Sequence, residues 1–237
     1  MSARDTVTFY LHPQLRAQAE RGNHNFIAKV SEVLKEAGLT VAFDGDDDLA
    51  RLRAHTRPGR ALHLMDAPVN ARGLTFRKTY IYPFWHIEAG AERWKWPVAK
   101  AQFDPAKVNA RKAANFYRLW RNRLFDGAPI DARKDGFVFV PLQGQLLRKR
   151  SFQTCSPIDM IKTVLDRDAG RQVMVTLHPN ERYTPEEQHA LENLLIEHDR
   201  LFVRKAGAER FLQTCDYVVT QNSGVGLLAY FFAKPVI

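Results

Sequence analysis

The sequence predicts an α/β protein whose strands are parallel and buried on both faces. Three short apolar runs support this prediction, at 137–142, 172–177 and 216–220. Each run passes into a polar turn and then into a segment with helical spacing, as parallel strands with crossover helices do. Since such sheets bind their ligands beyond the carboxyl ends of the strands, the polar turns are the predicted site.

The N-terminal half shows the same alternation of strands and helices. Strands are predicted at 6–11, 40–43, 61–65 and 79–87, and helices at 25–37 and 106–125. The first helix stops before Gly38, a residue favoured at helix C-caps. Glycine and proline between 126 and 136 then break the helical pattern, so we predict two domains, 1–130 and 131–237.

The C-terminal half is predicted as a regular series of strands and helices. The order is strand 137–142, helix 156–168, strand 172–177, helix 184–198, strand 200–203, helix 207–214, strand 216–220 and helix 224–232. Residues 234–237 would begin one more strand. We therefore expect two parallel-sheet domains facing each other across a cleft, in a compact or C-terminally truncated form.

The charge balance favours an anionic partner. The chain of 237 residues carries 35 Lys and Arg against 26 Asp and Glu, a net charge of +9. The excess peaks from Lys95 to Arg123 and recurs at 148–150, which also suits a simple solvated face. Acidic lipid headgroups and nucleotide sugars are candidate partners. The sequence shows neither an aromatic-basic sheet motif nor a helix-turn-helix signature, which argues against nucleic acid.

The expected location is the cytoplasm. No apolar run approaches the roughly 20 residues of a membrane span, and Met1 to Asp5 leads directly into a strand without an apolar signal core. Cys155 and Cys215 match no metal-ligand spacing, so we expect reduced structural thiols. If the basic helix 106–125 meets lipid, the protein would be peripheral at the inner membrane.

Three polar turns carry the candidate donor-binding residues. The turns are Gln143-Gly144-Gln145, His178-Pro179-Asn180 and Asn222-Ser223-Gly224. An imidazole held by the following proline can donate to a phosphate or cap its own turn. The third turn opens a helix, whose free N–H groups attract anions or merely receive an N-cap. A Gln amide can bind a base or a sugar, and a parallel sheet brings all three turns to one edge.

These turns also carry a family resemblance. The segments VPLQGQ, LHPN and DYVVTQNSGVGLLAYFFAKPVI resemble the donor-binding half of GT-B-type glycosyltransferases, which is Rossmann-like. They look most like bacterial capsule polysaccharide proteins, including the β-Kdo transferases that use CMP-Kdo. The resemblance covers 137–237 and implies that Gln143 and His178-Pro179 contact the nucleotide, with Asn222-Ser223 before the last helix. Where the family usually has a QP pair, Gln143 is followed by Gly144.

The N-terminal half offers candidate catalytic residues in the stretch 84–94. Glu88 and His86 lie there beside tryptophans, a composition typical of a sugar platform with a proton acceptor. The stretch also fits a surface element with its tryptophans in the core. Asp44-Gly45-Asp46 has a metal-binding spacing but fits a turn before a helix better. We predict no metal and no cofactor.

The resulting hypothesis is a glycosyltransferase acting on a CMP- or UDP-linked nucleotide sugar, with CMP-Kdo as one candidate donor. The acceptor would be a capsule or cell-surface polysaccharide or a glycolipid. One alternative is a non-catalytic capsule-assembly or nucleotide-binding protein. A second is a nucleotide-sugar 2-epimerase, which needs acidic residues near the sugar.

Overall fold

The computed structural model describes residues 3–81, 84–204 and 207–237, without the side chains of 128 and 129. The chain forms two compact units, Met1–Phe103 and Asp104–Ile237. Each unit is built on its own sheet. In the described part of the chain, no helix is both long and apolar enough to cross a bilayer.

The first unit contains a mixed sheet. Its strands are β1 (Thr6–Leu11), β2 (Thr40–Gly45), β3 (Arg60–Leu64), β4 (Gly73–Lys78) and β5 (Trp85–Glu88), in the order β2-β1-β3-β4-β5. All neighbours are parallel except β5, which runs antiparallel to β4. The helices are α1 (Pro13–Glu20), α2 (Asn25–Glu36), α3 (Asp48–Thr56) and the short α4 (Pro97–Lys100).

The alternation of side chains along β1 determines which helices cover each face of this sheet. Phe9 and its odd-numbered neighbours are buried under Leu15 of α1 and Ile27 of α2. Tyr10, on the other face, packs against Ala50 of α3. Successive residues of a strand point to opposite faces, so one strand can serve both layers.

The second unit contains a parallel sheet. Its strands are β6 (Phe137–Pro141), β7 (Gln172–Thr176), β8 (Leu201–Arg204) and β9 (Tyr217–Val218), in the order β8-β7-β6-β9. The helices are α5 (Ala110–Phe125), α6 (Pro157–Arg167), α7 (Pro185–Glu197), α8 (Ala208–Thr214) and α9 (Gly224–Phe231). Val236 forms a parallel bridge with Val218, so the chain returns to the sheet beside β9, as predicted for 234–237.

Two hydrophobic layers enclose this second sheet. On one face Val138 and Val140 pack with Ile161 of α6 and Leu191 of α7. On the other face the rings of Phe139 and of Phe211 in α8 lie 5.1 Å apart. The sheet is thereby covered on both sides, which explains why its strands appear in the sequence as continuous apolar runs.

The structure contains helices and a strand that were not among the predicted ranges, namely α1, α3, α4 and β4. The strand predicted at 79–87 is confirmed only at its end, since 85–87 belong to β5. Tyr80 has a φ of 63° and the Thr79 N–H donates to the Phe84 carbonyl at 2.6 Å, so 79–81 lie in the connection that follows β4. Residues 82 and 83 lie outside the described part. The compact units divide at 103/104, and within the second unit α5 packs on α9, with Tyr117 Oη donating to the Phe231 carbonyl at 3.1 Å. The domain division at 130/131 stays a prediction.

Candidate functional site

The three predicted turns lie at one edge of the second sheet. β6 is flanked by β7 and β9 and is parallel to both, so the residues that follow these strands share the carboxyl edge. Gln143, His178 and Ser223 are therefore at the same edge, although they are far apart in sequence. The placement agrees with the sequence argument, whereas a role in donor binding stays a prediction for these residues.

A cluster of amide side chains links the first turn to the third. Asn222 Nδ2 donates to Gln143 Oε1, and Gln153 Nε2 donates to Asn222 Oδ1 at 2.8 Å. We call Gln143, Gln153 and Asn222 the amide cluster. Gln153 is buried and was not identified from the sequence. The space between the loops at this cluster is small, about 10 Å³, so a ligand must contact the amides from above rather than enter between them.

A second amide fastens the same loops together. Gln221 Oε1 accepts hydrogen bonds from the Thr154 N–H at 2.7 Å and the Cys155 N–H at 3.3 Å. Its Nε2 donates to the Cys155 carbonyl at 3.0 Å. The loop before α6 is thus held to the end of β9, which fixes the position of the amide cluster.

His178 caps its own turn and keeps one ring nitrogen for another partner. Its Nδ1 accepts a hydrogen bond from the Asn180 N–H at 3.2 Å, and its backbone N–H donates to Tyr183 Oη at 2.8 Å. In a neutral ring with Nδ1 as acceptor, the proton is on Nε2, which is then a donor. Capping therefore holds the imidazole in an orientation that leaves a donor for a phosphate. Pro179 is exposed in the same turn.

The third turn forms the N-terminus of α9. Ser223 is buried and its Oγ accepts a hydrogen bond from the Val225 N–H at 3.2 Å, so the N-cap interpretation is confirmed. The Ser223 N–H donates to Thr220 Oγ1 at 3.2 Å. Gly224 is the first helical residue. The remaining N–H groups of this first turn, together with the helix dipole, favour an anion at the edge of the sheet.

An arginine and a glutamate lie over the first turn. Arg150 Nη1 donates to Gln143 Oε1 at 3.2 Å, and its Nη2 donates to the Gly144 carbonyl at 3.4 Å. The Glu181 Oε1 atom is 3.8 Å from Arg150 Nη2. A Cβ atom on Gly144 would come within 2.8 Å of the Glu181 Cδ, so any larger residue there would displace this carboxylate. Neither charged residue was among the sequence candidates.

The opposite, amino edge of the same sheet carries a closed set of charged side chains. Arg171 Nε donates to Asp216 at 2.7 Å, its Nη1 donates to Asp168 at 2.9 Å, and Tyr217 Oη donates to Asp168 at 2.8 Å. Burial alone would raise the pKa of Asp216, but hydrogen bonds from Arg171 and the Gly136 N–H hold it below its ordinary value. Burial and the hydrogen bond to Asp168 raise the pKa of Tyr217 to about 12.

The N-terminal candidates His86 and Glu88 lie on one face of the edge strand β5. His86 Nδ1 is 3.8 Å from Glu88 Oε1, and both side chains are half-buried. Trp85, on the other face, stacks on Phe26 with the ring centroids 4.6 Å apart. Trp96 is buried and donates to the Gly90 carbonyl at 2.7 Å. Trp85 therefore packs on the core, whereas Trp94, the other tryptophan of the stretch 84–94, is 45% exposed. The catalytic role of Glu88 and His86 stays a prediction.

Asp44 and Gly45 are the last residues of β2, and Asp46 lies in the short connection to α3. Asp44 is buried and pairs with Arg53 at 2.9 Å and Arg57 at 2.8 Å. Burial would raise the pKa of Asp44, but hydrogen bonds from Arg53 and the Gly45 N–H outweigh it and lower the pKa. Asp47 Oδ1 caps α3 by accepting from the Ala50 N–H at 2.8 Å. Within the described ranges no three His, Cys, Asp or Glu side chains are placed to hold a metal ion.

Comparisons with known proteins bear on the fold. No protein-family model matches the sequence, and no curated protein matches it. Among solved structures, the chain is similar to Thermosulfurimonas dismutans KpsC, a beta Kdo 2,7 transferase. The identity is 15% over 98% of this chain and 78% of that chain, with a TM-score of 0.54. At this identity the likeness concerns the fold alone, and it confirms the predicted α/β, Rossmann-like GT-B class.

A second similarity is weaker. S. aureus MnaA, in a co-structure with UDP, aligns over 98% of this chain and 77% of that chain at 12% identity. Its TM-score of 0.35 is too low to bear on the fold.

Proposed function

We propose that this protein is a glycosyltransferase that moves a sugar from a nucleotide donor to a capsule or cell-surface polysaccharide or glycolipid. The observation that carries the proposal is the clustering of polar side chains at the carboxyl edge of the second sheet. There the amide cluster and Arg150 join the loop after β6 to the turn before α9, and His178 follows the neighbouring strand β7. The GT-B-type fold shared with a beta Kdo 2,7 transferase supports the reaction class and makes CMP-Kdo a candidate donor.

The second unit would hold the donor without a metal ion. The first turn of α9 and nearby basic side chains supply positive charge for the phosphate, and His178 Nε2 supplies a hydrogen-bond donor. Gln143 and Asn222 supply amides that recognise a base or a sugar. Because hydrogen bonds between loops already fix these amides, they need little reordering when a nucleotide arrives.

The first unit would hold the acceptor. Glu88 takes the proton from the acceptor hydroxyl while the oxygen forms a bond to the anomeric carbon of the sugar. The bond from that carbon to the nucleotide's phosphate oxygen breaks, and the nucleotide leaves with the electron pair. His86, 3.8 Å from the carboxylate, would orient Glu88 or share the proton.

We further propose that α5 contacts an anionic membrane surface. Trp120 and Phe125 of this helix are buried, whereas Phe116 and Leu119 are 45% and 59% exposed, with the Phe116 ring centroid 6.2 Å from that of Trp120. Lys112 is exposed as well, and it lies one turn before Phe116 and in the same stripe. Apolar side chains bordered by cations are typical of helices that lie in the interface of anionic lipids.

The first test is a thermal-shift screen of the full chain with CMP, CDP, UDP and GDP. A specific nucleotide at 100 times its dissociation constant should stabilise the protein by about 2.7 kcal/mol. His178→Ala should weaken that nucleotide by about 1.5–3 kcal/mol, the range for a hydrogen bond to a charged group, and leave the melting temperature in place. His189→Ala, an exposed histidine on α7, is the matched control. A collapsed melting temperature with unchanged affinity would mean that His178 is structural only.

One observation favours a second candidate, a non-catalytic nucleotide-binding protein of capsule assembly. The amides at the carboxyl edge are already bonded to one another, and Glu181 is the one carboxylate that contacts Arg150 in the described residues. Release of free nucleotide from CMP-Kdo or a UDP-sugar, with and without acceptor, separates the two. Tight nucleotide binding without turnover supports the assembly protein.

A further inference from the structure

We propose that Arg150 is the phosphate-binding arginine of the donor site and that Glu181 occupies the phosphate's place on it until a nucleotide arrives. This inference rests on the proposed function and deepens it. It assigns to the site a preference for ligands that carry at least one phosphate over the bare nucleoside. We refer to the two side chains as the Arg150–Glu181 pair.

The guanidinium of Arg150 is fixed by neutral groups. It donates to Gln143 Oε1 at 3.2 Å and to the Gly144 carbonyl at 3.4 Å, and 23% of the side chain is exposed. Both acceptors belong to the loop that follows β6. They use part of its five donors and leave the others for a ligand. A planar fork held in this way is suited to two oxygens of one phosphate.

The charge of Arg150 is only loosely neutralised. Its acidic partner among the described residues is Glu181, at 3.8 Å between Nη2 and Oε1. That separation exceeds the range of a hydrogen bond, so the interaction is a weak ion pair. A phosphate oxygen at about 2.8 Å with a bidentate geometry would bind the guanidinium better than this carboxylate does.

Glu181 belongs to the same turn as His178 and can move aside. Its backbone N–H donates to the His178 carbonyl at 3.3 Å, which places the carboxylate between the imidazole turn and the first loop. The side chain is 37% exposed, so rotation toward solvent meets little obstruction. While it stays in place, its negative charge opposes a phosphate, because like charges at such distances disfavour each other.

Gly144 explains how the carboxylate comes so close. The glycine is buried beneath Glu181, and a Cβ there would come within 2.8 Å of the Glu181 Cδ and 3.4 Å of its Cβ. Gly144 does not have a positive φ, so alanine suits its backbone. Gly144→Ala should therefore displace the glutamate without unfolding the loop. It provides a second way to separate Glu181 from Arg150.

The test measures binding of CMP, CDP and cytidine to the full chain by titration calorimetry. Glu181→Gln keeps the shape and removes the charge, so affinity for CMP and CDP should rise about 5–10-fold. Gly144→Ala should act in the same direction. Arg150→Gln should lower the affinity for both nucleotides by about 10–100-fold, the loss expected for charge-assisted hydrogen bonds. Cytidine binding should change less than about twofold in all three variants.

Matched controls separate local from general electrostatics. Glu192→Gln on α7 and Arg210→Gln on α8 remove one exposed charge each from the same unit and should leave the affinity for CMP unchanged. Melting temperatures within a few degrees of the wild type show that the variants fold. Glu181→Gln with unchanged or weaker CMP binding would overturn the proposal, as would Arg150→Gln with wild-type affinity.

A separate arm uses pyrophosphate as the probe. One outcome is that the wild type binds pyrophosphate but none of the nucleotides, with a higher pyrophosphate affinity in Glu181→Gln and a lower one in Arg150→Gln. That result supports the roles of Arg150 and Glu181 and contradicts the proposed function. If nucleotides bind and the variants show no such pattern, the function stands and the pair is wrong. Binding of neither nucleotide nor pyrophosphate refutes both.

Discussion

Asp216→Ala should destabilise the second unit by removing the side chain that ties three strands together at the amino edge. The Asp216 carboxylate accepts a hydrogen bond from the Gly136 N–H at 2.9 Å, just before β6. It also accepts one from Arg171 Nε at 2.7 Å, just before β7. The residue itself directly precedes β9 and is 9% exposed. Removing this side chain therefore breaks the hydrogen bonds that connect the starts of β6, β7 and β9.

The size of the effect follows from these two bonds. A hydrogen bond to a charged group contributes roughly 1.5–3 kcal/mol. Arg171 is 43% exposed and keeps Asp168 as a partner, so solvent and the second carboxylate recover part of the loss. We expect about 2–4 kcal/mol for Asp216→Ala and about 1–2 kcal/mol for Asp216→Asn, which keeps an acceptor for Gly136.

The same bond predicts a pH dependence with a definite sign. Folding lowers the pKa of Asp216 below its ordinary 3.8. A carboxylate with a depressed pKa contributes its stability above the unfolded value and loses it as the pH falls through the folded one. The difference between wild type and Asp216→Asn should thus be complete at pH 7 and shrink below about pH 4.

Urea unfolding of wild type and variants between pH 7 and pH 3 measures both effects. Asp135→Ala is the matched control, because its pair with Arg133 is exposed on both sides and should contribute about 0–1 kcal/mol. Equal destabilisation by Asp135→Ala and Asp216→Ala would refute the reasoning. So would a difference between Asp216→Asn and wild type that does not shrink at low pH.

The remaining predictions concern chemistry, a buried histidine and lipid. Glu88→Gln should keep nucleotide binding and lose about two to four decades of transfer rate, the usual share of a general base, in an assay of released nucleotide. His63 is 1% exposed, its ring nitrogens have no hydrogen-bond partner in the described residues, and burial lowers its pKa below 6.5. His63→Phe should therefore reduce the stability loss that the wild type shows below about pH 6.5 in urea titrations, while His24, whose pKa burial also lowers, keeps its share. Phe116→Glu with Leu119→Glu should lower flotation with phosphatidylglycerol vesicles about tenfold or more, whereas Ile196→Glu on α7 should not.

The strands of the second unit could be predicted because a strand that is buried on both faces appears in the sequence as a continuous apolar run. Phe137 to Pro141 is buried at every position, and such a run is apolar throughout. The helix α1 shows no recognisable apolar pattern in the sequence, since only its residues Leu15 and Ala19 are buried. The strand β4 was equally hard to find, because its glycine and exposed Leu74 interrupt the apolar pattern.

The parts of the site that escaped prediction depend on contacts between distant residues. Gln153 is recognisable as a site residue only through its bond to Asn222, 69 positions away. Arg150 stands in a basic run that fits a solvated face. In the structure Arg148 and Lys149 are exposed as that interpretation requires, while Arg150 turns inward to Gln143. Sequence spacing predicts the edge of the sheet but cannot tell which cation of a run folds onto it.

The two edges of the second sheet have different roles because their charges are neutralised to different degrees. At the amino edge each acid meets a donor at close distance, with Arg171 bonded to Asp216 at 2.7 Å and Tyr217 bonded to Asp168 at 2.8 Å. Such closed pairs hold strands in register and leave little for a ligand to gain. At the carboxyl edge the ion pair between Arg150 and Glu181 is longer, at 3.8 Å, and it lies at the same edge as the N-terminus of α9. Asp216→Ala should accordingly change stability but not nucleotide affinity, and His178→Ala should do the reverse.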